Sequence, residues 1–99
     1  MITPHCSIHK YHSPMPLLYE EHHIQPLGMG GKDVAVNKVW VCVQGHYNIH
    51  ELLGDLLRSG TMRRGGGRAE RACANQGFAA WVAAGKPGRP VYGAVEAAR

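Results

Sequence analysis

The sequence predicts an α+β domain of two short strands and one helix, followed by a C-terminal extension expected to be helical. Three observations predict it. Val39-Trp40-Val41-Cys42-Val43 is rich in β-branched residues, and its valines share one face at period two. From His46 the period becomes helical, with Ile49, Leu52, Leu53, Leu56 and Leu57 forming an i, i+3, i+4, i+7, i+8 stripe. Residues 25–38, between that strand and an earlier candidate strand, carry Pro26 and three glycines and read as a loop.

Each element follows from its composition. Residues 1–16 contain Pro4, Pro14 and Pro16 and are expected to be irregular, because proline withdraws ladder donors. Residues 17–24 can form a short first strand. After the loop and the valine-rich strand, the helix is expected to run from His46 to a stop at Ser59-Gly60, with Gly54 as a weak point. Thr61 to Arg68 reads TMRRGGGR and has the composition of a flexible basic linker. The alanine-rich stretch from Arg68 to Ala84 favours a helix, although Gly77 interrupts it and Phe78, Trp81 and Val82 do not line one face. Lys86-Pro87-Gly88-Arg89-Pro90 reads as a further break.

Bulk properties narrow the classes. Ninety-nine residues make one small domain at most, and a core of that size gains from a metal. Eleven Lys+Arg against seven Asp+Glu give a net charge of +4 and a pI near 9.2, which suits a polyanionic partner. Three cysteines, an odd number, argue against a closed disulfide framework. The N-terminal stretch lacks the apolar core of a signal peptide and no apolar run reaches membrane-spanning length, so a soluble cytoplasmic protein is expected.

The chemistry concentrates in four histidines. Neighbouring residues on a strand face opposite ways, so His22 and His23 cannot easily share one task. His46 and His50 stand one helical turn apart at the border of the apolar stripe and can share one. One reading is that His22, His46 and His50 hold a divalent ion through neutral imidazoles, with positions left open for phosphate oxygen and water. His23 then remains to take a proton from the attacking water, a task suited to imidazole near neutral pH. Asn37 can hydrogen-bond near that base and fix its orientation. The other reading is that the pair and the i, i+4 set lie on a polar face with no ion, since H-x3-H alone is a weak signal.

The joint order of Glu21-His22-His23-Ile24-Gln25-Pro26-Leu27-Gly28-Met29-Gly30-Gly31, then Asn37, then Cys42 and His46-x3-His50, resembles the HNH family of nucleases, especially its small phage-encoded members. The resemblance covers about residues 17–58. It implies a ββα-metal (His-Me finger) core of two antiparallel strands and a helix around one divalent ion. Residues 1–58 would form that nuclease domain, 59–67 the linker and 68–99 the extension. His22, His46 and His50 match the ligand positions, His23 the general base, and Asn37 the loop asparagine that steadies it. The implied activity is metal-dependent DNA cleavage to 5′-phosphate and 3′-hydroxyl ends, with Zn, Mg, Mn, Ni or Co as the ion. The implied setting is a phage enzyme in the host cytoplasm acting beside DNA-packaging proteins.

Many family members add a structural zinc held by two C-x2-C pairs. Here the corresponding candidates are Cys6, His9 and Cys42, three ligands where four are needed. The simpler expectation for Cys42 is a small buried hydrophobe. Lys32, Lys38, Arg58, Arg63, Arg64, Arg68 and Arg71 are the pool for phosphate contacts, against the plainer reading of a solvated basic surface. The tail arginines are expected to add DNA affinity without touching chemistry. The competing expectation is that Phe78 and Trp81 cover the helix stripe. The alternative function is a non-catalytic nucleic-acid-binding module in which the ion only holds the fold.

Overall fold

Pleating decides what the first long strand can do. In the computed structural model, which describes residues 5–6, 11–12, 19–65 and 67–90, strand β3 (Tyr19–His23) pairs antiparallel with β4 (Lys38–Cys42). The register sets Glu20 opposite Val41 and His22 opposite Val39 on one face. Glu21 opposes Trp40 and His23 opposes Lys38 on the other. Upstream, β1 (His5–Cys6) and β2 (Tyr11–His12) form a two-residue antiparallel ladder where irregular structure was expected. The expected irregularity of the remaining residues of 1–16 lies outside the described residues, as does His9.

Two helices complete the α+β domain: α1 (Val43–Ser59) and α2 (Arg68–Ala83). The second strand and first helix are displaced from the sequence expectation. Val43 does not finish the strand but opens α1 and is half exposed, and the helix begins three residues before His46. Capping explains the shift. Cys42 stays extended at the N-cap and its Sγ accepts the Gly45 N–H at 3.3 Å, satisfying a first-turn donor that a longer strand would strand. At the other end Gly60 closes the helix, donating its N–H to the Leu56 carbonyl at 2.8 Å.

The stripe packs as the period requires. Ile49, Leu52, Leu53 and Leu56 are buried with Val41 and Met29, and Leu57 packs at the margin. Each fully buried aliphatic side chain contributes about 1.5–3 kcal/mol of transfer free energy. Covering the far side of α1 falls to α2, which lays Ala74 and Trp81 into the core with Phe78 and Cys73 beside them. Val82 is left at the surface, which is why the three large residues share no face.

Gly77 has a reason that composition hides. A Cβ there would collide with the carbonyl oxygen of Ile24, so α2 crosses the end of β3 backbone to backbone, one residue past His23. Glu70 starts this helix by accepting the Gly67 N–H at 2.9 Å and ties it to α1 by accepting from the Asn48 amide at 2.6 Å.

Residues 24–37 contain more regular structure than glycine and proline allow one to expect. Two 3-10 turns, Leu27–Met29 and Ala35–Asn37, occupy the loop, short enough for i→i+3 bonds to satisfy. The first turn drives Met29 into full burial. Residues 85–90 come back to this loop: the Arg89 N–H donates to the Gly28 carbonyl at 2.6 Å, and Trp81 Nε1 donates to the Pro87 carbonyl at 2.9 Å.

Candidate metal centre

His22 projects from the inner face of β3 and meets His46 and His50 on the first half of α1. One turn of helix stacks the latter two, so their Nε2 atoms stand 2.9 Å apart, and ring centroids are 5.2 Å (His22 to His46) and 5.1 Å (His22 to His50). One nitrogen from each of the three lies within 4.8 Å of the others. Nitrogens grouped this closely could serve together as ligands of one divalent ion.

Burial makes this cluster costly as bare protein. His22 is 1% exposed, and neither Nδ1 nor Nε2 has a hydrogen-bond partner; His50 Nδ1 is likewise buried and unpartnered. Unsatisfied buried nitrogens are rare in native proteins and point to an ion or another group as partner. Desolvation, reinforced by His50, His46 and His23, lowers the His22 pKa to about 3; burial, then His46, lowers that of His50 to about 4. Both rings are therefore neutral at physiological pH, the form that donates a lone pair to a metal. The residues fit a divalent ion.

Glu20 completes the arrangement and was missed in the sequence. Its Oε1 lies 3.1 Å from His46 Nδ1. A carboxylate oxygen accepts, so Nδ1 donates and His46 Nε2 turns its lone pair toward the other two rings. The signal was available: Glu20 stands two residues before His22, hence on the same face of the strand.

His23 faces the other way and keeps a quarter of its side chain in solvent. Its Nε2 lies 3.0 Å from Asp33 Oδ1. Lys38 Nζ approaches the same oxygen at 3.2 Å and Glu21 Oε2 at 3.7 Å. The bond from His23, then the one from Lys38, hold the Asp33 carboxyl below the ordinary carboxylate range, and Asp33 raises Lys38 in return. No sequence pattern marks Asp33, ten residues from its partner across a loop.

Asn37 hydrogen-bonds to the backbone just beyond His23 and not to its ring. Its side chain accepts the Gln25 N–H and donates to the carbonyls of Gln25 and Lys32, each at 2.9 Å. Its own carbonyl accepts the Ile24 N–H at 2.8 Å. A carboxamide offers both donors and an acceptor, so one residue can pin both ends of a loop. Asn37 therefore fixes the backbone that carries His23 and Asp33, at one remove from the imidazole.

The other candidates are dispersed. Cys42 is buried as a small hydrophobe and helix cap, while the side chain of Cys6 lies outside the described residues. Arg64 pairs with Glu51 and, at 3.4 Å, with Asp55. Asp55, buried, also accepts the Arg63 and Arg64 N–H groups at 3.1 and 2.9 Å and stands 4.0 Å from Arg58. It anchors the segment that composition marked as linker. Lys32, Arg63, Arg68 and Arg71 are exposed. Among the described residues no helix is long and apolar enough to cross a membrane.

Comparisons with protein-family models, with curated proteins and with solved structures find no match.

Proposed function

We propose that this chain is a metal-dependent DNA endonuclease of the HNH type, with β3, β4 and α1 as its ββα-metal core. One observation carries the reading: three imidazoles converge, the innermost, His22, with both ring nitrogens buried and unpartnered, while the next residue, His23, faces the opposite side of the strand in contact with solvent. A site built only to hold the fold has no use for a second, outward histidine steadied by its own carboxylate.

His22, His46 and His50 would hold the ion. When bound, it supplies Lewis-acid stabilisation of the charge that builds on the phosphodiester and its leaving oxygen. Three imidazoles suit Zn, Ni, Co or Mn better than the oxygen-seeking Mg. His23 takes a proton from water, the water oxygen forms a bond to phosphorus, and the P–O3′ bond breaks. A 5′-phosphate and, after protonation, a 3′-hydroxyl remain. Lys32 and the exposed arginines are the cations available for backbone phosphates.

The test is cleavage of supercoiled plasmid across a metal series, together with zinc uptake by the same preparation. His23→Ala should lower cleavage by about 10²–10⁴-fold while leaving zinc uptake and the melting curve close to wild type. Parallel loss of zinc and activity would make His23 a ligand. Retardation of DNA with no cleavage in any metal would favour the non-catalytic binding module.

A further inference from the structure

We infer that Asp33 is a positioning residue for His23, selecting the tautomer in which Nε2 carries the proton and Nδ1 presents the basic lone pair. The inference rests on the reading of His23 as the base. Neutral imidazole has one donor and one acceptor nitrogen, and which is which depends on its partners. The Asp33 Oδ1 contact at 3.0 Å to Nε2 is an acceptor contact, so the proton belongs on Nε2 and the lone pair on Nδ1. Without it both tautomers compete and part of the population carries its proton where the lone pair is needed.

The surroundings are built to hold that carboxylate. Lys38 Nζ, 3.2 Å away and itself braced by Glu21, balances its charge. Lys38 is also the strand partner of His23, so base and counter-ion are set on one face of the sheet by register. Asn37 donates to the Lys32 carbonyl, the residue just before Asp33. The carboxylate thus reaches His23 from a loop whose backbone is fixed.

The experiment uses the full chain loaded with zinc and labelled with ¹⁵N in its histidine rings, beside plasmid cleavage. Wild-type His23 should show the Nε2–H tautomer. Asp33→Ala should mix the tautomers and lower kcat by about 10–100-fold, taking as guide the range for carboxylates that orient metal-ligating histidines, with KM within about twofold and zinc uptake intact. Asp33→Asn, whose amide oxygen can still accept from Nε2–H, should recover part of both the tautomer and kcat. Asp33→Ala with unchanged kcat and an unchanged tautomer would overturn the inference. So would a faster Asp33→Ala, since Asp33 would then mask the working nitrogen, and so would loss of zinc in both variants. Wild type that cleaves nothing in any metal overturns the nuclease reading and this one with it; wild type that cleaves while Asp33→Ala matches it overturns this one alone.

Discussion

Replacing His22 by leucine should strengthen the metal-free protein and abolish its response to metal. His22 is 1% exposed and both ring nitrogens are buried without partners. Leaving a buried polar group unsatisfied costs about 1–3 kcal/mol, and leucine, of similar breadth, removes that cost while keeping the apolar contacts with the core. Since 1 kcal/mol moves the Tm of a domain this size by about 4–8 °C, the metal-free variant should melt on the order of 10 °C above metal-free wild type. Zinc reverses the order. An ion at a hundredfold excess over its Kd adds about 2.7 kcal/mol to wild type, and nothing to a variant that has lost a third of its ligands. Thermal melts of both proteins, with chelator and with zinc, read all four values. A metal-free His22→Leu melting well below metal-free wild type would show that the imidazole is satisfied by protein. An equal zinc shift in both would remove His22 from the site.

Three further outcomes follow from the same geometry. Gly77→Ala sets a Cβ against the Ile24 carbonyl and should cost about 1–3 kcal/mol as overpacking, seen as a lower urea midpoint; an unchanged midpoint would mean that α2 does not cross β3 so closely. Asn37→Ala removes three hydrogen bonds of about 0.5–1.5 kcal/mol each, so stability and plasmid cleavage should fall together while zinc still binds. Loss of cleavage with no loss of stability would give Asn37 a part in the chemistry beyond fixing the loop. Metal-free wild type should lose stability as pH falls from about 6.5. His22 and His50 are held neutral in the fold, with pKa values near 3 and 4, so the unfolded chain takes up protons there that the folded chain refuses. Tm measured from pH 8 to 5 should decline below 6.5, and His22→Leu should flatten part of that decline. A flat wild-type profile would contradict the buried neutral pair.

Local periodicity made part of this protein legible in its sequence. The 3.6-residue repeat puts His46 and His50 on one edge of α1 beside Ile49 and Leu53, and the strand's two-residue repeat separates His22 from His23, whatever surrounds them. The ends of these elements were less legible: Val43 fits a strand by propensity, but a single Cys42–Gly45 bond makes it the first residue of a helix. What only the tertiary structure decided lies in contacts between residues distant in the chain. Asp33 reaches His23 across a turn, Asn37 pins Gln25 and Lys32 rather than the imidazole, and Gly77 lets α2 touch Ile24. Trp81 enters the core while Val82 stays outside, and residues 85–90 return to Gly28. Periodicity is a property of one element's own backbone and survives without a partner. The role of a loop carboxylate, a carboxamide or a mid-helix glycine exists only once another segment is close enough to touch it.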